Sequence, residues 1–151
     1  MAEWDVSGEE PVPFVLKMDF SDFDAYVGML RGYAKGIGIP SGFVPHSTYW
    51  LVSEGRLIGV SNLRHALTEK LWIEGGNIGY GIRPSERRKG YASALLSGTL
   101  AKAQGMGIAE VLITCKKANE GSARTILRNG GKLDNEVLVD GALYQRYWIP
   151  N

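Results

Sequence analysis

The sequence predicts an α/β chain built on a mixed, mostly antiparallel sheet with helices packed against it. Three observations carry that expectation. The dipeptides Glu54-Gly55 and Asp140-Gly141 each separate two runs of apolar, β-rich residues, the signature of tight hairpins. Between those hairpins, over residues 78–129, the pattern runs strand, helix, strand, helix. Finally, 20 of the 151 residues are glycine, an excess that suits a backbone that turns sharply or lets something approach closely.

The elements follow in order. Residues 1–10 read as a loose acidic lead-in, closed by Pro11 and Pro13. Ser21 suits the N-cap of a helix reaching about Lys35, with Phe23, Tyr26, Val27 and Leu30 at helical spacing. Gly36, Gly38, Pro40 and Gly42 make a loop. Strands are expected over residues 48–52 and 57–63. After a connection containing Trp72 and Gly75-Gly76, another strand covers 78–83 and stops at Pro84. A helix follows from about 90 to 104. Residues 110–115 are nearly all apolar, as in a strand buried on both faces. Residues 119–129 read as a helix ended by Gly130-Gly131, and strands over 132–139 and 142–149 close the chain. The length fits one domain over residues 1–151.

Composition removes whole classes of function. One cysteine permits no internal disulfide. Only His46, His65 and Cys115 are nitrogen or sulfur ligands of the usual kinds, too few for a zinc cage, so no metal is expected. No run of eighteen apolar residues exists to span a membrane, and the acidic start lacks signal-peptide character, so a cytoplasmic protein is expected. The net charge of +1 argues against a nucleic-acid binder. That average hides a gradient: residues 1–30 hold seven acids and one base, residues 83–132 ten bases and three acids. The basic stretch surrounds glycines, which suits a compact anion.

The chemistry concentrates in Ile78-Gly-Tyr-Gly-Ile-Arg-Pro-Ser-Glu-Arg-Arg-Lys-Gly-Tyr-Ala92, where a strand ends, a polar turn follows and a helix opens at Gly90. A helix N-terminus offers unpaired N–H groups and positive potential. Gly90 removes a side chain that would block a phosphate, and Ala92 keeps the first turn open. Neither GxxxxGK[ST] nor a GxGxxG between strand and helix is present, so the usual nucleoside triphosphate and dinucleotide readings lose support. What remains is R-x-x-G-x-A, read as Arg87, Gly90 and Ala92.

In that setting the pattern resembles the acetyl-coenzyme A loop of the GNAT superfamily of N-acetyltransferases. The helix carrying Asn119, Ser122, Ile126 and Gly130 is similar to that family's second motif, and the resemblance extends over residues 47–149. The string R-P-S-E-R-R-K-G-Y-A resembles a subgroup of predicted bacterial acetyltransferases. The resemblance implies a mostly antiparallel sheet with one splayed parallel pair, formed by the strands ending at Arg83 and beginning near Glu110. It also implies cofactor contacts. Backbone amides of Arg88, Lys89, Gly90, Tyr91 and Ala92 would hold the pyrophosphate, the strand edge at Ile82 and Arg83 would pair with pantetheine, and Asn119 and Ser122 would line its far side. Gly79 and Gly81 suit a bulge near the thioester; plain sheet packing is the other reading.

Direct attack by a neutral amine on the thioester in a ternary complex is the implied reaction, with a strand N–H near Ile82 polarising the carbonyl. Its acid and base are not carried over. Many relatives have a tyrosine seven residues after the motif asparagine; here that position is Ile126. Tyr144 and Tyr147 are substitutes, Glu74 is the acid nearest the position where some relatives carry a carboxylate, and His65 is the first candidate base. A water relay would need none of them. Cys115 reads as a small buried residue. The acceptor walls are expected among Phe20, Phe23, Tyr26, Tyr33 and Trp50, and the acidic first thirty residues suggest a cationic amine. The expected partners are acetyl-CoA and a small amine, with no nucleic acid and no membrane; a homodimer is admitted but not required. Two alternatives stay open: an acyl-CoA-sensing domain without catalysis, and a protein-interaction module on the same scaffold.

Overall fold

A computed structural model describes residues 2–151. The strands form two three-stranded sheets, and every ladder in them is antiparallel. The first sheet has the order β1 (His46–Ser53), β2 (Arg56–Arg64), β3 (Ile78–Ile82). The second contains β4 (Glu110–Lys116), β5 (Lys132–Val139) and β6 (Ala142–Pro150), with β6 central. Both hairpin turns stand where the dipeptides place them. Glu54 and Gly55 have φ of 50° and 73°, Asp140 and Gly141 48° and 80°, the doubly left-handed form whose twist suits flanking strands.

The strands expected to splay, β3 and β4, belong to different sheets and touch at one point. There the Asn77 N–H donates to the Leu112 carbonyl at 2.7 Å, and the Leu112 N–H donates to Asn77 Oδ1 at 2.9 Å. Gly76 bridges Ile113 beside them. A Cβ on Gly76 would strike the Leu112 carbonyl, so only glycine fits the junction. Among the described residues, no ladder joins β3 and β4 beyond it.

Two helices, α4 (Tyr91–Gly105) and α5 (Glu120–Arg128), share a core with both sheets. Leu96 and Leu100 pack with Leu63, Ile78, Ile113 and Ile126, each such burial contributing roughly 1.5–3 kcal/mol. Ile58, Ile82 and Leu95 form a smaller cluster. A third cluster joins Val60 of β2 to α1 (Ala2–Ser7) and α2 (Phe23–Ala34) through Trp4, Tyr26, Leu30 and Tyr33.

Several local expectations are corrected. The expected loose lead-in contains α1, and Trp4 is only 2% exposed; six residues are too few to hold a helix alone, so tertiary burial does it. Asp22, not Ser21, caps α2, its Oδ1 accepting from the Ala25 N–H at 3.0 Å. A short α3 (Glu69–Ile73), capped by Thr68, occupies the connection containing Trp72. No bulge forms at Gly79 or Gly81, because the β2–β3 register runs unbroken across them. Gly81 instead makes room for the Val12 carbonyl, which lies where a Cβ would stand.

Candidate functional site

The segment between β3 and α4 is shaped by its backbone. Pro84–Glu86 forms a single 3₁₀ turn, Arg88 has φ of 60°, and Gly90, the N-cap of α4, has φ of 84°. Glycine alone takes the last value without strain, and nothing lies within 4 Å of the place a Gly90 Cβ would occupy. No side chain caps α4. The N–H groups of its first turn therefore face an open space with the positive end of a fifteen-residue helix behind them. Residues 88–92, expected to hold an anion through their amides, lie along this turn.

The edge of β3 supplies further backbone groups. The Arg83 N–H donates to the Ile58 carbonyl at 2.8 Å, toward β2. In an antiparallel ladder these groups alternate in direction, so those of Ile82 and Tyr80 face away from β2. The Ile82 carbonyl accordingly accepts from Arg87 Nε at 3.1 Å. Ile82 thus leaves its N–H on the open edge while Arg87 holds its carbonyl, whereas the Arg83 N–H is already spent on Ile58.

Across the gap, Asn119 Oδ1 accepts from the Ser122 N–H at 3.1 Å and caps α5. Ser122 Oγ lies 2.8 Å from the Tyr80 hydroxyl. Burial pushes Tyr80 up to about 12, eased by its hydrogen bond to Ser122. Burial also pushes the neighbouring Cys115 thiol up, which keeps it protonated and unsuited to nucleophilic attack.

The expected catalytic residues have three separate surroundings. His65 Nε2 lies 2.8 Å from Ser47 Oγ, and burial lowers its pKa. Glu74 stands beside Tyr144, whose pKa is raised first by burial and then by that carboxylate. Tyr147 is a core residue, its hydroxyl donating to Gln145 Oε1 at 2.8 Å. A carboxylate at position 76 is sterically excluded, since Gly76 admits no Cβ. One histidine was missed. His46 is 2% exposed, its Nδ1 lies 2.8 Å from Asn62 Nδ2, and its Nε2 has no partner among the described residues. Burial, with the Arg64 charge adding to it, lowers its pKa to about 4.

The charge gradient resolves into contacts. Glu9 grips Arg87 with both oxygens, at 2.9 and 2.7 Å. Glu3 accepts from the Ser85 N–H at 3.1 Å and pairs with Arg83 at 3.5 Å. Glu10 pairs with Lys17, Asp19 accepts from the Ser21 N–H, and Asp22 caps α2. Five acids of the first thirty residues, Glu3, Glu9, Glu10, Asp19 and Asp22, are therefore engaged within the chain. Among the described residues Arg88 has no carboxylate partner, whereas Lys89 is held by Glu86 at 3.0 Å. Of the expected acceptor walls, Tyr26 and Tyr33 are core residues, while Phe23 and Trp50 form an exposed stacked pair with centroids 5.6 Å apart. A cavity of about 510 Å³ lined by Lys116, Lys117, Ala118, Glu120, Ala142 and Leu143 contains none of the expected catalytic or cofactor residues.

No helix of the described residues is long and apolar enough to cross a membrane. A search of curated proteins finds no match to the chain. Solved structures share its fold. The yncA protein of Salmonella typhimurium, solved with its cofactor acetyl-CoA, superposes with a TM-score of 0.64 at 12% identity, over 88% of this chain and 74% of that one. A GNAT-family protein from Bordetella pertussis gives 0.63 at 14%, over 87% and 78%. The aminoglycoside acetyltransferase AAC(6')-Ib, solved with coenzyme A, gives 0.60 at 15%, over 70% of this chain and 66% of its own. The GNAT domain of S. lividans PAT gives 0.58 at 18%, over 74% of this chain and 64% of its own. The chain thus spans slightly less than two thirds of the length of these last two. The family model for the acetyltransferase (GNAT) domain matches residues 28–132. With 70% of its length inside that match and the fold to go with it, the chain belongs to the GNAT acetyltransferase family.

Proposed function

We propose that the chain is an acetyl-CoA-dependent N-acetyltransferase acting on the primary amine of a small molecule, by direct attack in a ternary complex. One observation carries the reading: α4 opens without a side-chain cap, on a left-handed glycine with clear space above it, next to the free edge of β3. Bound there, acetyl-CoA supplies the electrophilic thioester. The amides of residues 88–92 bind the pyrophosphate, and Arg88, which has no carboxylate partner among the described residues, adds its charge. The Ile82 edge pairs with the pantetheine amides, and an N–H of that edge polarises the thioester carbonyl. Asn119 and Ser122 form the opposite wall. His65 or a water takes the amine proton, and water relays it to solvent.

Calorimetry with acetyl-CoA tests the binding half, with a dissociation constant in the micromolar range expected; no heat of binding would sink it. Release of free thiol across an amine library tests the transfer half. The separate surroundings of His65, Glu74 and Tyr147 favour a second reading, an acyl-CoA-sensing domain without catalysis. Binding without thiol release for any amine would select that one.

A further inference from the structure

Arg64, Arg83 and Arg146 are the arginines at least partly withdrawn from solvent. Arg83 pairs with Glu3 at 3.5 Å and Arg146 with Asp134 at 3.6 Å. Arg64 has no carboxylate partner among the described residues. Its Nη1 donates to the Gly75 carbonyl at 3.0 Å and the Gly76 carbonyl at 3.1 Å. Those neutral acceptors position the guanidinium without balancing its charge, whereas withdrawn charges are ordinarily paired. Burial alone bears on its pKa, lowering it, with no carboxylate to oppose the shift.

One edge of the guanidinium remains unspent. Nε and Nη2 make no hydrogen bond among the described residues, and neither is among the sealed unpartnered atoms, so both open on solvent. These two neighbouring donors are spaced to take both oxygens of one carboxylate. Gly79 of β3 keeps room beside them. A Cβ there would lie 3.6 Å from Arg64 Nη2 and 3.6 Å from Pro13 Cβ. Gly79 is not among the residues with positive φ, so its backbone does not call for glycine.

The place of Arg64 suits an acceptor. The gap between β3 and β4 closes at the Asn77–Leu112 contact, and Arg64 stands at that end, its N–H donating to the Asn77 carbonyl at 2.7 Å. The uncapped terminus of α4 lies past the other end, beyond Ile82. Strand β3 spans about 13 Å from Ile82 to Ile78. A cofactor held by α4 leaves the Arg64 end for the second substrate.

We propose that Arg64 anchors a carboxylate of the acceptor, which is therefore an amine that also carries a carboxylate, as amino acids do. This rests on the acetyl-CoA reading above and names the substrate class within it. The carboxylate supplies the missing counter-charge and takes no part in the transfer.

The test reads binding, not turnover. Protein saturated with coenzyme A is melted with the common amino acids, β-alanine and γ-aminobutyrate, each beside its own carboxamide, and with phosphoethanolamine. At least one acid should raise the melting temperature by about 3 °C or more at saturation, and its carboxamide by less than about 1 °C. By calorimetry, Arg64→Gln should weaken that acid at least ~10-fold, the loss of a charge-assisted contact, and keep coenzyme A affinity within about threefold.

Carboxamides that bind as well as their acids, or a panel in which no acid binds, overturn the proposal and leave the cofactor reading intact. Preference for phosphoethanolamine over every acid overturns it in favour of a phosphate. An acid that binds Arg64→Gln as tightly as the wild type overturns the role of Arg64. Failure of the wild type to bind coenzyme A removes the cofactor reading itself, and this proposal with it. If circular dichroism shows Arg64→Gln unfolded, Gly79→Ala decides, because its methyl fills the space against Nη2 and keeps the charge. A tenfold loss of the acid then supports the role, and unchanged affinity refutes it.

Discussion

Helices α4 and α5 are neighbours, Asn129 at the end of α5 bonding Ser93 in the first turn of α4, and their N-termini are closed in opposite ways. Asn119 closes α5 with its own side chain, as Asp22 closes α2 and Thr68 closes α3. Helix α4 begins on Gly90, which has no side chain to offer. A capping side chain is worth about 1 kcal/mol to a helix. The longest helix in the chain forgoes it, at the one terminus placed between a loop of basic residues and a free strand edge. A terminus that satisfies itself is structural; a terminus left open is available to a ligand. Exposed N–H groups alone do not identify a ligand, but their contrast with three capped neighbours singles out α4.

The sharpest way to break the contrast is Gly90→Trp. The indole would fill the space above the first turn, and acetyl-CoA affinity should fall at least ~1,000-fold by calorimetry, about 4 kcal/mol. A non-glycine residue at positive φ also costs about 1–2 kcal/mol of stability, so the melting temperature must be recorded alongside. Unchanged affinity would move the site away from α4.

The acid limb of stability comes next in size and sets the pH at which variants can be compared. His46 is neutral when folded because burial, and then Arg64, lower its pKa to about 4. A lowered folded-state value means the neutral ring favours folding. That stability is complete above about pH 6.5 and lost as pH falls toward 4, on the order of 3 kcal/mol by the lower end. In a pH series of thermal melts, His46→Gln should flatten the fall between pH 6.5 and 4; an identical slope would assign the acid limb elsewhere.

Asn119→Ala uncaps α5 and should cost about 1 kcal/mol, roughly 2–4 °C in melting temperature. The corresponding change at α4 cannot be made, since no cap exists there to remove. If Asn119→Ala proved neutral, the contrast between the two termini would carry no energetic weight. The smallest effect separates two neighbouring arginines. Arg88→Gln should weaken acetyl-CoA binding about two- to fivefold and reduce its salt dependence. Arg87→Gln should do less, because Glu9 already neutralises Arg87. The reverse order would show that the ligand displaces Glu9.

Much of this was legible in the residues. Dipeptides that tolerate positive φ placed both hairpins, and Asn119 marked the start of α5, because turn and cap chemistry is local. The strand–glycine–helix pattern placed the open terminus of α4 for the same reason. What escaped was held by distant partners. Helix α1 exists because Trp4 is buried against residues far along the chain, and no local signal encodes that. The contact of Tyr80 with Ser122 spans 42 residues. Gly81 read as a bulge because glycine in a strand has two uses, and only the position of Val12 decides between them. His46 read as one of two unremarkable histidines, since an unpartnered nitrogen is a property of packing rather than of sequence.

The acidic segment at the start of the chain also bears on the order in which the molecule assembles. Glu3 meets Ser85 across 82 residues, and Glu9 meets Arg87 across 78. Contacts so distant repay their loop-closure entropy only once the intervening chain is folded. Their partners are a turn that exists only after β3 has paired with β2 and α4 has formed behind it. The first residues of the chain therefore dock among the last, onto a loop already in its final shape. By the same logic they are among the first to lift away. Exposed ion pairs of Glu9 and Glu10 hold the end of that segment, and such pairs contribute little, so residues 8–10 open by local unfolding rather than with the core. Hydrogen exchange would see the amides of residues 8–10 lose protection well before those of β2, whereas Trp4 ties α1 to the core.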